Sequence, residues 1–355
     1  TDPKDVIALK DTNSCPAWIT ANDQGTGYYH LLYQGDLNQK LLKNSSQLSV
    51  AERVDLLRNA DALLQAGKLP AGDALSLARQ FRNGPERDVI TASIKIVNKV
   101  RRFVDPSMEP TYAKLIRDLF GEKARSLGWK STAGEDDDTR LLRPEVLDIV
   151  GTLGQDPQLA SEAKGLALKW LIDRSAVQAD MVSAVLGVAA FHGDTGLFEQ
   201  LLTAAKQSKD RRERERILTA LSQFRDPAIA NRALGLMLTD ELDLRELLQT
   251  LNVLQVNPET RELPWKFVVA NYDKLSPRLP NLLGVGGAAM LPESAISFCD
   301  EEHYKAAQSF FTPRMKDVNG GQKNLDVTLE AIQLCTARAA VQTPEINRFL
   351  EAYKN

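Results

Sequence analysis

Residues able to do chemistry are few in this chain and widely spaced. The histidines are His30, His192 and His303. None sits in a His-Glu-x-x-His pair, the spacing that sets two imidazoles on one helix face for hydrolytic zinc. Cys299 and His303 are four apart beside Glu301 and Glu302. They can share a helix face, but they lack two further ligands, so packing and a surface histidine compete with metal binding. Gly284-Val285-Gly286-Gly287-Ala288-Ala289 resembles a phosphate loop, yet no strand precedes it and no Lys-Ser/Thr follows. It reads as close helix packing or a loop. Glu135-Asp136-Asp137-Asp138 offers calcium four carboxylates without EF-hand spacing. The plainer reading is a solvated acidic loop. Arg211-Arg212-Glu213-Arg214-Glu215-Arg216 reads as a solvated helix start, with an interdomain or peptide-carboxylate contact as the alternative. No Ser-His-Asp set is supported by spacing.

Composition narrows the class. A net charge of −3 over 355 residues argues against a nucleic-acid partner, which needs a basic face. No apolar run is long enough to span a bilayer. Cys15, Cys299 and Cys335 are three, far apart and without Cys-x-x-Cys, which argues against a disulfide framework and a structural zinc site. The compartment is not fixed by them. The chain begins at Thr1 and shows no signal-peptide pattern, as an excised or processed piece would.

The elements that would position any site change character near residue 35. Val6-Ile7 with Leu9, Trp18 to Thr20 and Tyr28 to Tyr33 read as short strands, too few for an independent sandwich. Between them Asn22, Gly25, Gly27, Tyr28, Tyr29 and Tyr33 form a turn-plus-aromatic motif that hands a strand to a helix. Helices follow. Ser49 and Glu52 spell a capping box, and Gly67 a left-handed stop. Further helices are expected near 73–81, 86–103 and 109–127, then one opening at Leu141-Leu142-Arg143-Pro144. Asp156-Pro157, Asp194, Asp226-Pro227 and Asn257-Pro258 then recur at intervals of about 30 to 40 residues. Each combines a capping side chain with a helix start, and each interval suits two helices and a turn. The pattern predicts an irregular helical solenoid, and a last helix is expected near 344–353.

The junction motif Asn-x-x-Gly-x-Gly-Tyr-Tyr-x-x-x-Tyr, preceded by Cys15-Pro16-Ala17-Trp18-Ile19, resembles the end of the β-sandwich domain of the M1 zinc aminopeptidases. The words Ala51-Glu52-Arg53, Arg58-Asn59-Ala60-Asp61, Ala66-Gly67-Lys68-Leu69, Pro264-Trp265-Lys266-Phe267-Val268 and Phe298-Cys299-Asp300 continue the match in order. It extends over essentially the whole chain. The resemblance implies the tail of a sandwich in residues 1–35 and a mainly α, HEAT-like superhelical C-terminal domain in 36–355. It implies no cofactor in this chain, with zinc in a catalytic domain upstream of Thr1. Its partners would be the catalytic and sandwich domains of the parent enzyme and a peptide substrate. Its role would be to enclose the active-site chamber and select peptides by length, without cutting them. Tyr28, Tyr29 and Tyr33 then read as sandwich core and domain seam. A peptide carboxylate would need an arginine fork, but no single arginine can be assigned. The rival reading is a free-standing helical scaffold that binds a protein partner on its concave face.

Overall fold

The computed structural model describes residues 14–279, 281 and 286–354. Among these the chain is mainly helical, with no strand. The opening helices are α1 (Leu37–Lys43), α2 (Val50–Gln65), α3 (Ala71–Gln80) and α4 (Arg87–Val100). Next come α5 (Glu109–Leu127), α6 (Asp137–Gly151), α7 (Pro157–Ile172), α8 (Val182–Phe191), α9 (Thr195–Gln207) and α10 (Arg211–Leu221). The last are α11 (Pro227–Gly235), α12 (Leu244–Leu247), α13 (Gln249–Val253), α14 (Glu262–Leu275), α15 (Glu301–Met315) and α16 (Gly321–Tyr353).

Aspartates set most of the starts. Asp156, Asp194 and Asp226 each accept from backbone N–H groups of the first turn of α7, α9 and α11, with Pro157 and Pro227 in first-turn positions. Asp210 does the same for α10. The fourth expected start fails. Asn257 is buried in the turn before α14, which begins five residues later at Glu262. Ser49 and Glu52 form the expected capping box, and Gly67 takes φ +66° just past α2.

Helices α4, α6, α8, α10 and α13 pack as one row, each against the next, while α5, α7 and α9 back α6, α8 and α10. Helix α8 is enclosed on nearly every side. Of its ten residues only Ser183 is exposed, so it carries no amphipathic stripe. Gly151 of α6 permits the close approach, because a Cβ there would lie 2.7 Å from Val188. One apolar core runs from Leu41 to Leu350.

Three expectations need correction. Trp18–Thr20 and Tyr28–Tyr33 are not strands, because no neighbouring strand satisfies their backbone groups among the described residues. Val6, Ile7 and Leu9 lie outside the described residues. The acidic run is solvent-exposed at Asp136, Asp137 and Asp138, as expected, but it is not a loop ahead of Leu141. Asp136 caps α6, Asp137 and Asp138 occupy its first turn, where the helix dipole favours negative charge, and Glu135 pairs with the buried Arg143. Finally, Cys299 and Cys335 are joined as a disulfide. Cys299 lies just before α15 and Cys335 lies in α16. The packing of these two helices brings together residues that sequence spacing holds 36 apart. Such a closure stabilises by about 2–4 kcal/mol.

The expected final helix is only the end of α16, which runs 33 residues and includes Pro344. It packs on α15 and then reaches α3 and α5 at the other end of the chain. Gln342 makes that closure. Its fully buried amide accepts from Ala71 N at 2.8 Å and donates to the carbonyls of Leu69 at 3.0 Å and Leu64 at 3.3 Å. Ala71 N and Leu69 O have no other partner among the described residues, whereas Leu64 O also accepts from Gly67 N at 3.1 Å. Gln342→Leu therefore leaves Ala71 N and Leu69 O unpaired, while Leu64 O keeps Gly67 N, and costs about 2 kcal/mol. Urea denaturation checks this, and an unchanged midpoint would show that the two ends are not coupled.

Candidate functional site

A group of arginines gathers where the end of α4, the cap of α14 and α16 meet. Past Val100, α4 tightens into a 3₁₀ turn over Arg101–Phe103, which directs Arg101 and Arg102 into a cavity of about 580 Å³. Arg261, at the cap of α14, and Arg338, on α16, reach the same space. Gln255 braces the wall. It donates to Leu251 O at 2.8 Å and Glu293 O at 3.1 Å and accepts from Ser297 N at 3.2 Å. Val256 adds an exposed apolar surface.

The charges are unbalanced. Arg101 is buried and paired with Glu109, and Lys99 pairs with Asp61 at 2.5 Å. Arg102, Arg261 and Arg338 have no carboxylate in ion-pair contact among the described residues. Arg102 meets Cys335 Sγ at 3.7 Å and Arg338 donates to Gln65 at 3.2 Å. Arg261 Nε is buried without a hydrogen-bond partner. Loss of water around its head group, and then the charge of Arg338, holds Arg102 below the usual arginine range. Burial, then Arg102 and Arg101, does the same to Arg261. Burial also raises the Glu293 carboxyl. Each shift disfavours the charged form, and an anion placed among the guanidiniums would reverse those of the arginines.

The residues singled out from the sequence near the N-terminus form a separate clasp. Asn22 is buried and grips Gly27, accepting from its N–H at 2.7 Å and donating to its carbonyl at 3.3 Å. Gly25 takes φ +64°, and a Cβ on Gly27 would lie 2.2 Å from the Tyr29 ring. Tyr29 donates to Ala21 O at 2.6 Å, and Tyr33 accepts from Ala21 N at 3.2 Å. Tyr28 stands apart, fully exposed. The clasp is held to α2 by two side chains. Glu52 accepts from Gln24 N at 3.4 Å, and Asn59 accepts from Leu31 N at 2.7 Å while donating to Leu31 O. Asn59 thus supplies the donor and acceptor that a neighbouring strand would.

The remaining candidates take other roles. Cys299 is spent in the disulfide, and His303 stacks on Phe298 between Asp300 at 2.8 Å and Glu262 at 3.2 Å. Among the described residues no three His, Cys, Asp or Glu side chains gather as a metal site. Gly284 and Val285 lie outside the described residues, while Gly287 to Ala289 open a buried 3₁₀ segment. In the Arg211–Arg216 run, Arg214 grips Glu246 with two bonds of 2.6 and 2.8 Å. Sequence reasoning missed the arginine cavity because its arginines come from three separate segments, around 101, 261 and 338.

The sequence matches the ERAP1-like C-terminal domain over residues 18–334. The chain belongs to that family. This ERAP1-like domain is 23% identical over 338 residues to Aminopeptidase 2 of Candida albicans, covering 93% of the chain and 36% of that protein. It is 23% identical over 330 residues to Aminopeptidase M1-C of Oryza sativa subsp. japonica, at 89% and 36% coverage. It is 26% identical over 317 residues to Aminopeptidase M1 of Arabidopsis thaliana, at 86% and 35%. The domain thus spans about a third of these relatives. No helix among its described residues is long and apolar enough to cross a membrane.

Two measurements follow from the geometry. Inorganic sulfate should raise the melting temperature of the domain, by the equivalent of about 1.4 kcal/mol at ten times its dissociation constant. Arg261→Met should reduce that gain while raising the sulfate-free melting temperature, since one crowded charge is removed. A loss of sulfate-free stability would show that Arg261 is compensated. Trimming the chain to residue 35 should leave the helical far-UV signal almost intact, because the clasp sits on the outside of α2. A collapse of that signal would make residues 14–34 part of the helical core.

Proposed function

We propose that this chain is the non-catalytic helical domain of an M1-type zinc aminopeptidase, and that its arginine cavity holds the C-terminal carboxylate of a long peptide. The cavity is the observation that carries the reading. Three guanidiniums without carboxylate partners, half shielded from water, suit a carboxylate that takes two hydrogen bonds from one fork. Exposed Val256 offers a contact for the last side chain. In this reading the row α4–α6–α8–α10–α13 is the concave face of a HEAT-like solenoid turned toward a catalytic chamber. Zinc and bond cleavage belong to the part of the parent enzyme outside this domain, and no step of the chemistry passes through these residues. Tyr28, Tyr29 and Tyr33 form the seam with a β-sandwich domain.

Length selection follows from geometry. A peptide reaches the arginines while its N-terminus is at the zinc only if it spans the distance between them. Shorter peptides forgo the contact and the orientation it provides. The enzyme containing this domain should therefore cleave long free-acid peptides faster than their C-terminal amides, by about tenfold in kcat/KM. A variant combining Arg102→Met, Arg261→Met and Arg338→Met should lose that difference and keep its rate on an aminoacyl anilide. Equal profiles for both enzymes across a ladder of peptide lengths would overturn the reading. They would favour a scaffold that binds a protein partner.

A further inference from the structure

A second cavity, of about 640 Å³, opens between α6, α8 and α10 and holds a carboxylate of unusual situation. Asp148 of α6 lines it and has no hydrogen bond or ion pair to its carboxylate among the described residues. The side chains facing it from α8 are small. Ser183, Ala184 and Gly187 line the opposite wall, and a Cβ on Gly187 would lie 3.5 Å from Asp148 Oδ1. The missing side chain leaves a slot with the carboxylate at its base.

The other charged groups facing the cavity do not neutralise it. On α6, Glu145 accepts from Thr91 Oγ1 at 2.7 Å. On α10, Arg212, Glu215 and Arg216 lie on the far wall. Helix α8 contributes no charge. Asp148 keeps part of its surface toward the cavity, yet the packed helices around it push its carboxyl up to about 6 by burial alone, with no nearby cation offsetting the cost.

We propose that this cavity is a subsite for a lysine or arginine side chain of a bound peptide, with Asp148 as the anchoring carboxylate. The inference rests on the peptide-admitting reading above and names a substrate preference within it. One carboxylate cannot hold a divalent metal without further ligands, whereas a single ammonium or guanidinium needs one anion and a few neutral acceptors. Ser183, Thr219 and Gln223 supply such acceptors on the walls. The long apolar stem of lysine or arginine suits a slot lined by small residues. The volume leaves room for backbone around the inserted side chain.

The subsite requires ionised Asp148. Its folded carboxyl titrates above the ordinary aspartate value, so the group is charged and able to bind above about pH 6 and neutral below it. In the empty domain the same charge is a burden above that pH. Asp148→Asn should therefore raise the melting temperature at pH 7.5, and by progressively less as the pH falls through 6 toward the ordinary aspartate value, where the gain vanishes.

Fluorescence anisotropy on the 355-residue chain tests the proposal, using peptides in which one lysine is walked along the sequence, each paired with a norleucine counterpart. At one or two positions lysine should bind about tenfold more tightly at pH 7.5, and the ratio should fall toward one at pH 5 and in Asp148→Asn. Glu145→Gln should keep it. A ratio of one at every position, or one that survives Asp148→Asn, overturns the proposal. C-terminal amidation of the same peptides reads the arginine cavity separately. If no peptide binds, thermal shift with methylguanidinium and butylammonium decides. A shift present in the wild type and absent in Asp148→Asn keeps the cation subsite while the peptide reading falls. No shift overturns both.

Discussion

The fold depends on one buried amide. Gln342 meets backbone groups at the turn between α2 and α3, roughly three-quarters of the chain away in sequence. Stacked helix pairs pack only on their neighbours, so nothing within the row α4–α6–α8–α10–α13 fixes where its ends lie. Helix α16 supplies that constraint by touching α3, α5 and the turn after α4. Ordering a contact of such long range is entropically costly, and it persists because leaving Ala71 N and Leu69 O unpaired costs more. The disulfide between Cys299 and Cys335 acts on the same element, fixing α16 to the segment before α15.

That closure also creates the arginine cavity. Arg101 and Arg102 come from the beginning of the row, Arg261 from near its end, and Arg338 from the closing helix. Without α16 the cluster would be open to water and each charge screened. With it, the guanidiniums share a half-dry space and depress one another. Stability alone does not favour such an arrangement, since apolar side chains of similar size would pack there without the electrostatic penalty. An arrangement that costs stability and converges on one cavity is what the proposed carboxylate site would account for.

Much of the architecture is legible from local signals. Asp156, Asp194 and Asp226 announce their helices because capping chemistry is local, and Ser49 with Glu52 does so by a box of four residues. The junction residues Asn22, Gly27, Tyr29 and Tyr33 do converge, though into a loop clasp in place of strands. Aromatic runs report a preference for extended backbone, while a strand also needs a partner ladder, which Asn59 here replaces with one side chain. What the sequence hides is whatever depends on helix–helix contact. Cysteine counting misses the disulfide, since pairing follows the proximity of α15 and α16. The expectation of a helix over 344–353 misses most of α16, because Pro344 reads as a start but sits inside a helix that tertiary packing maintains. The arginine cavity draws on segments around 101, 261 and 338, and no window of sequence contains them together.

The two cavities bear opposite signs on connected parts of the same row. The cationic one lies where α4, α14 and α16 converge, and the anionic slot lies midway, between α6, α8 and α10. Each is built from groups whose burial is offset by no ion pair among the described residues, arginines held below their usual range and an aspartate held above its own. A flexible chain that placed a carboxylate in one and a cation in the other would relieve both penalties at once. In the proposed reading, the binding energy so gained would be spent on orienting the peptide instead of on strain at reacting atoms. Two anchors at a fixed separation also read direction and register, which one anchor cannot do. A rigid row of helices, with its ends fixed by α16, is suited to hold that separation constant.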